Sequence, residues 1–443
     1  MEISRSSPVW HPNTPGISGK EIWIEKGLGG YLYTKDGRKI LDGISSWWVN
    51  THGHSHPHIA SAIARQAQEL EHVIFAGFTH GPAEALASKL IQKAPGNMSR
   101  AFFSDNGSTA VEVAVKMALQ HFVLKKQPRT RIAALRHGYH GDTFGAMALG
   151  ERGSFSAAFK PLLFDVEFIE APSVSLSQPY DPEAGKYLLR LAEEVLSQPN
   201  LAALVVEPGL QGAGGMRMFP DSWLDALFEL ARSFGVLIIA DEVFTGFYRT
   251  GTLFATQRLR NRPDFICLSK GLTAGFLPMG LTLTHEQVAE PFFASDYEHT
   301  FYHGHSYTAN PLACAAALAG LELMEHPDFE EKIQMIALLQ ESFTQKVHKD
   351  FPFMNARSSG TIFALQIQSK EGYAYNHPVR KNLYQWFLER DVLLRPLGNV
   401  IYTVPPYCLS AEELHYLQNQ ILVMLQNFEV NQNYPSTENP GLG

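Results

Sequence analysis

The chain has 443 residues, of which 45% are hydrophobic and 18% charged, with a net charge of −8 at neutral pH. That length can bury a sizeable core and suits two or three domains at about 150 residues each, and the composition excludes a disordered chain. The negative balance argues against a nucleic-acid or anionic-membrane surface, and three scattered cysteines (Cys267, Cys314, Cys408) match neither a disulfide framework nor a paired zinc pattern, which points to a reducing, cytoplasmic setting.

The first ten residues are polar and lack the apolar core of a signal peptide, and no run approaches the roughly 20 apolar residues of a membrane span. Residues 16–48 read as hairpin strands, with Tyr31-Leu32-Tyr33-Thr34 and Arg38-Lys39-Ile40 flanking the turn Lys35-Asp36-Gly37. The run Thr51-His52-Gly53-His54-Ser55-His56-Pro57-His58 is rich in histidine but lacks a second ligand pair at a distance, so it reads as a turn before a helix over 59–71 rather than as a zinc site.

From residue 101 onward, short apolar runs alternate with helix-period stretches. The runs 101–103, 132–135, 201–206, 236–240 and 265–268 suit doubly buried strands, and 109–122 and 222–234 suit the helices between them. This predicts an α/β fold, a mainly parallel sheet flanked by helices, with ligands at the carboxyl ends of the strands. Beyond about residue 320 the pattern is mixed and closes with a helix over 411–428. The expected organisation is a small α+β domain built from both chain ends (1–51 and 321–430) around a large domain at 52–320, with a disordered tail at 431–443.

Three features at the strand ends carry chemistry. Asp105-Asn106-Gly107-Ser108-Thr109 lies between a strand and a helix, where free N–H groups, a glycine and a hydroxyl suit a phosphate; a plain helix cap, Ser108 or Thr109 before Glu112, would explain the same residues. Asp241 closes one strand and Lys270 follows another, the pair that pyridoxal phosphate requires: an amine to form a Schiff base and a carboxylate to keep the pyridine nitrogen protonated. If the strand continues past Asp241, Val243 projects on the same side and packs against one ring face, while Tyr139, after the strand at 132–135, stacks on the other. Taken singly, Asp241 also reads as a loop acid and Tyr139 as a core aromatic.

The run from Asp241-Glu242-Val243 to Arg249-Thr250-Gly251, with Leu268-Ser269-Lys270-Gly271 and His303-Gly304-His305-Ser306-Tyr307-Thr308-Ala309-Asn310-Pro311, resembles the class III (omega) branch of the fold-type I, pyridoxal 5'-phosphate-dependent aminotransferases. The resemblance extends over about residues 10–406. Within that branch, Asp42-Gly43-Ile44-Ser45-Ser46-Trp47-Trp48, Gly138-Tyr139-His140-Gly141, Gln211-Gly212-Ala213-Gly214-Gly215 and Arg395-Pro396-Leu397-Gly398 are most similar to the group that transaminates 8-amino-7-oxononanoate in biotin synthesis.

The resemblance implies Lys270 as Schiff-base lysine and proton shuttle. It also implies Asp241 on the pyridine nitrogen, Glu207 near the ring, Tyr139 and Val243 on its faces, and Gly107 and Ser108 on the phosphate. Ser306 would reach the phosphate from the second subunit of a homodimer with shared sites. Arg395 would pair with the substrate carboxylate; Trp47, Trp48 and Gly304 would line the pocket, with Arg249 at its margin. A surface salt bridge for Arg395, core packing for the tryptophans and a loop brace for Arg249 are the structural alternatives. The implied donor is S-adenosylmethionine, with lysine as alternative. Asn13, in Trp10-His11-Pro12-Asn13, stands where relatives usually carry a pocket tyrosine, and this leaves the donor open. Rival functions are transamination of ornithine, 4-aminobutyrate or a diamine, a cofactor-binding scaffold without turnover, and a metal hydrolase.

Overall fold

A computed structural model describes residues 9–14, 21–153, 156–294, 297–369 and 372–431, the side chains of 428–431 excepted. The tail at 432–443 and the start of the first expected hairpin at 15–20 lie outside the described residues.

The architecture is centred on a seven-stranded sheet built from β4 (Met98–Ser104), β5 (Arg131–Leu135), β6 (Glu167–Ile169), β7 (Leu201–Val206), β10 (Leu237–Asp241), β11 (Phe265–Leu268) and β12 (Gly280–His285), in the order β4-β12-β11-β10-β7-β5-β6. Every residue of β7 and β11 is buried, as apolar strands covered on both faces must be. All neighbours from β11 to β6 pair in parallel. The exception is β12, antiparallel to both β11 and β4. Its run Gly280-Leu281-Thr282-Leu283-Thr284-His285 alternates polar and apolar residues, and the sequence reading passed over it, as it did the three-residue β6. The helices Gly107–Leu124 and Asp221–Ser233 form where the 3.6-residue period placed them, within two residues at each end.

The two chain ends meet in one sheet. Strands β1 (Ile24–Leu28), β2 (Tyr31–Thr34) and β3 (Lys39–Asp42) form a meander, and β15 (Val392–Leu393) joins its edge in parallel, pairing Val392 with Leu41 and Leu393 with Asp42. Strands β13 (Asn355–Ser359), β14 (Ile362–Gln366) and β16 (Val400–Thr403) make a second small sheet, and β8 (Leu210–Gln211) with β9 (Arg217–Met218) a short ribbon. The histidine run is dispersed: His54 pairs with Asp42 at 2.9 Å, His58 with Glu322 at 2.8 Å, and His52 is buried. No helix among the described residues is long and apolar enough to cross a membrane.

Candidate active site

Five strand ends on one edge of the large sheet supply the site: Ser104, Leu135, Val206, Asp241 and Leu268 each end a strand, and the chemical groups follow within a few residues. At the centre, Asp241 Oδ2 lies 2.7 Å from His140 Nδ1, and both side chains are buried. Burial alone would lower the His140 pKa, but the hydrogen bond and charge of Asp241, with the charge of Glu207, outweigh it and raise the imidazole above its usual 6.5. The other aspartate oxygen accepts from Val243 N at 3.1 Å. The strand therefore stops at Asp241 and the chain turns, so the condition under which Val243 would project beside Asp241 along one strand is not met; the aspartate caps that turn. Glu242 faces away and caps the turn at 255–256, accepting from the backbone N–H of Ala255 at 2.6 Å and of Thr256 at 2.9 Å.

Glu207 directly follows β7. One carboxylate oxygen accepts from Tyr139 N at 3.2 Å and the other from Gly212 N at 2.9 Å, so it ties the loop after β5 to the glycine-rich loop at 211–216. A side chain at Gly212 would strike the Phe244 ring, its Cβ falling 2.7 Å from Cδ1. Burial pushes the Glu207 carboxyl up to about 7; the charge of His140 opposes the rise and that of Asp241 adds to it.

Lys270 opens a turn of 3-10 helix after β11 with φ of +43°, a left-handed conformation that a lysine holds at a cost of order 1–3 kcal/mol. Its Nζ sits 5.0 Å from the Trp48 ring centroid and 5.7 Å from that of Phe244. Burial lowers its pKa, against the pull of Asp241 and Glu207, which favours the neutral, nucleophilic amine.

The helix Gly107–Leu124 begins with a capping box formed by Asn106 and Thr109. The cap is therefore neither Ser108 nor Thr109 with Glu112. That glutamate instead accepts from Thr143 Oγ1 at 2.6 Å and Gly145 N at 2.9 Å. The cap consumes the N–H of Thr109 and leaves those of Gly107 and Ser108 at the positive end of the helix dipole. A Cβ on Gly107 would lie 2.7 Å from Val243 Cγ1, so only glycine allows this close approach. Ser108 Oγ accepts from Asp142 N at 3.2 Å, and Gly141, at φ of +136°, has no room for a side chain against it. Two open N–H groups, a hydroxyl, a space that a methyl would fill and a buried Asp–His pair fit the phosphate and the pyridine nitrogen of pyridoxal 5'-phosphate.

Trp48 is buried, its Nε1 donating to the Tyr402 hydroxyl at 3.1 Å and its ring 4.4 Å from that of Phe244, whereas Trp47 is 39% exposed. The Arg395 guanidinium stacks 4.8 Å from the Trp47 ring centroid. Among the described residues, no carboxylate pairs with Arg395; its Nη2 donates to the main-chain oxygen of Asn13 at 3.1 Å. Arg249 is buried, donates to the carbonyls of Pro405, Trp48 and Asn50 at 2.8 to 3.4 Å, and lies 4.8 Å from the Tyr407 ring centroid. Three carbonyl acceptors and an aromatic face replace water around its charge, which makes it the brace of that loop. Ser306 and Gly304 are exposed, and no hydrogen bond links Ser306 to Gly107 or Ser108 within the chain. His140 and Gly212 were missed, although both lie inside motifs singled out in the sequence; only strand pairing shows that they converge on Asp241 and Glu207.

The family of class III aminotransferases matches residues 16–425. The adenosylmethionine-8-amino-7-oxononanoate aminotransferase of Synechococcus elongatus is 46% identical over 418 residues, covering 94% of this chain and 98% of that protein. The protein of the same name from Geobacter sulfurreducens is 37% identical, over 92% of this chain and 93% of its own. Among solved structures, that of the Methanocaldococcus jannaschii protein of this name superposes with a TM-score of 0.87 at 34% identity, covering 95% of this chain and 97% of that one. An amine transaminase from an uncultivated Pseudomonas species, in its PLP-bound form, gives 0.87 at 32% identity over 95% of this chain and 99% of its own.

Proposed function

The chain belongs to the class III aminotransferases, and on that premise we propose that it transfers an amino group to the ketone carbon of 8-amino-7-oxononanoate, forming the 7,8-diamino acid of biotin synthesis. We take S-adenosylmethionine as the donor and the cytoplasm as the setting. The cofactor is pyridoxal 5'-phosphate, which when bound supplies an aldehyde for the amine and a ring that accepts electrons.

The observation that carries the substrate assignment is Arg395, a partly buried guanidinium with no carboxylate partner among the described residues. It is stacked on Trp47, while the neighbouring Trp48 lies beneath the Lys270 amine. A substrate whose carboxylate is separated from its reacting carbon by an alkyl chain suits such a cleft: a planar fork at one end, indole faces between, an amine at the other. Lys270, whose pKa burial lowers, would supply the amine that holds the cofactor and would carry the proton at the substrate carbon. Asp241 would hold the ring nitrogen in its protonated form, and His140 fixes the carboxylate that does so. Gly107 and Ser108 would donate to the phosphate and Tyr139 and Val243 would enclose the ring, while Glu207 orients the loop that carries Tyr139. Ser306 and Gly304, exposed within one chain, complete the site of the partner in a homodimer.

The test is product identification. Purified enzyme with 8-amino-7-oxononanoate and either donor should yield the diamino acid by mass, with S-adenosylmethionine supporting turnover. Lysine supporting the half-reaction where S-adenosylmethionine does not would replace the donor alone; no diamino acid with either would overturn the acceptor.

A further inference from the structure

We infer that Asn13 is a positioning residue for Arg395: its main-chain carbonyl, directed by a left-handed backbone, fixes the guanidinium so that the free edge faces the substrate carboxylate. This rests on Arg395 as the carboxylate anchor.

Two restraints act on the same group from different directions. The Trp47 ring, 4.8 Å from the guanidinium carbon, limits tilt, and the Asn13 oxygen, 3.1 Å from Nη2, limits rotation within the guanidinium plane. One N–H is thereby consumed by a neutral acceptor and the positive charge stays unneutralised, whereas a carboxylate in that place would compete with the substrate. An arginine side chain otherwise has rotamer entropy to lose on binding, and ordering it before the substrate arrives favours binding of the acid.

The geometry of Asn13 is specific to its type. Its φ is +50°, a region that asparagine and glycine enter readily and β-branched residues avoid. The Thr14 hydroxyl closes the turn on the Pro12 carbonyl at 3.0 Å. The Asn13 side chain is exposed, so the contact that reaches Arg395 is the backbone alone. The identity of residue 13 therefore acts through its dihedral preference.

The experiment compares Asn13→Val, Asn13→Gly, Arg395→Ala and the Asn13→Val/Arg395→Ala pair in steady-state kinetics with the oxo acid and in the donor half-reaction. Asn13→Val should raise KM for the oxo acid about fivefold, on the order of one weakened charge-assisted hydrogen bond, with kcat and the donor half-reaction changed less than about twofold. Asn13→Gly, which keeps both the carbonyl and the left-handed turn, should restore the parent KM. In the Arg395→Ala background Asn13→Val should add nothing, because the two act as one unit. An unchanged KM in Asn13→Val, or an additive loss in the double variant, overturns the positioning role while leaving the anchor in place. An unchanged KM in Arg395→Ala removes the anchor itself, and the inference with it.

Discussion

His140 and Asp241 stand 2.7 Å apart at the centre of the site, the imidazole wholly enclosed and the carboxylate nearly so. A pair in that setting is costly to break from one side, because the remaining carboxylate loses its donor with little water to replace it. His140→Gln should lower kcat by about 10- to 100-fold, the range expected for loss of a hydrogen bond to a charged group. Stability should respond to pH in a stated direction. The folded-state pKa of His140 is raised, so its contribution is fully present below the ordinary value near 6.5 and disappears as pH rises through the folded value. Denaturant unfolding across pH 5 to 9 checks this: the gap between parent and variant should narrow with rising pH, and a gap that widens contradicts the assignment.

Lys270→Ala should abolish multiple turnover and the borohydride-reducible attachment of the cofactor. The fold should survive, since the side chain makes no hydrogen bond among the described contacts and removing it relieves the burial of an amine. Peptide mapping after reduction checks the site, and an adduct remaining at a single lysine in the variant would reassign the role.

Gly107→Ala tests the phosphate cradle. The added methyl would sit 2.7 Å from Val243 Cγ1, so either the helix start or the valine must move, at a cost of about 1–3 kcal/mol. Cofactor affinity should fall about tenfold or more, and Val243→Ala in the same chain should recover part of it by opening the space. Equal affinity in parent and Gly107→Ala, measured by fluorescence titration, would remove Gly107 from the cradle.

Much of this arrangement was legible in the sequence because it rests on local signals. The apolar runs at 201–206, 236–240 and 265–268 form strands of the large sheet, and Asp241 and Lys270 follow from where the second and third of them end. What the sequence concealed was set by three-dimensional convergence. The β12 strand alternates like a half-exposed edge yet lies between β4 and β11, because helix Gly107–Leu124 covers the face that carries its threonines: Thr282 Oγ1 donates to Ala110 O at 2.8 Å. The resemblance implies Arg249 at the pocket margin, and only the backbone carbonyls that surround it, from residues 48, 50 and 405, show that it braces the chain there. His140 lies in a motif that drew attention to its neighbour Tyr139, and nothing short of strand register reveals that the imidazole meets Asp241.

Glu207 gives a second, independent pH signature. Burial lifts its folded pKa to about 7 from an ordinary value near 4.5. Below about 4.5 the carboxyl is protonated in both states; between there and about 7 the unfolded chain releases a proton that the folded chain keeps, so this group lowers stability as pH rises. Glu207→Gln should remove that slope and be most stabilised relative to the parent above pH 7, partly offset by a poorer acceptor for Tyr139 N and Gly212 N. Parallel stability curves for parent and variant between pH 4.5 and 7.5 would show that the burial of Glu207 is not carried by a retained proton.

Ser306 should act in trans. In one chain it is exposed and out of hydrogen-bond contact with Gly107 and Ser108, while Tyr302 and Tyr307 on either side expose 69% and 65% of their surface, an apolar presentation that suits contact with a second copy. Mixed dimers of a Lys270→Ala chain and a Ser306→Ala chain separate the two arrangements. If the serine serves the partner's site, one site of each mixed dimer carries both lesions and the other neither, so about half of the parental activity per mixed dimer returns. If the serine serves its own chain, each site carries one lesion and no intact site forms. Differentially tagged chains, purified as confirmed mixed dimers and assayed with saturating cofactor, decide between the two; activity no higher than that of the Ser306→Ala homodimer would place Ser306 outside the shared site.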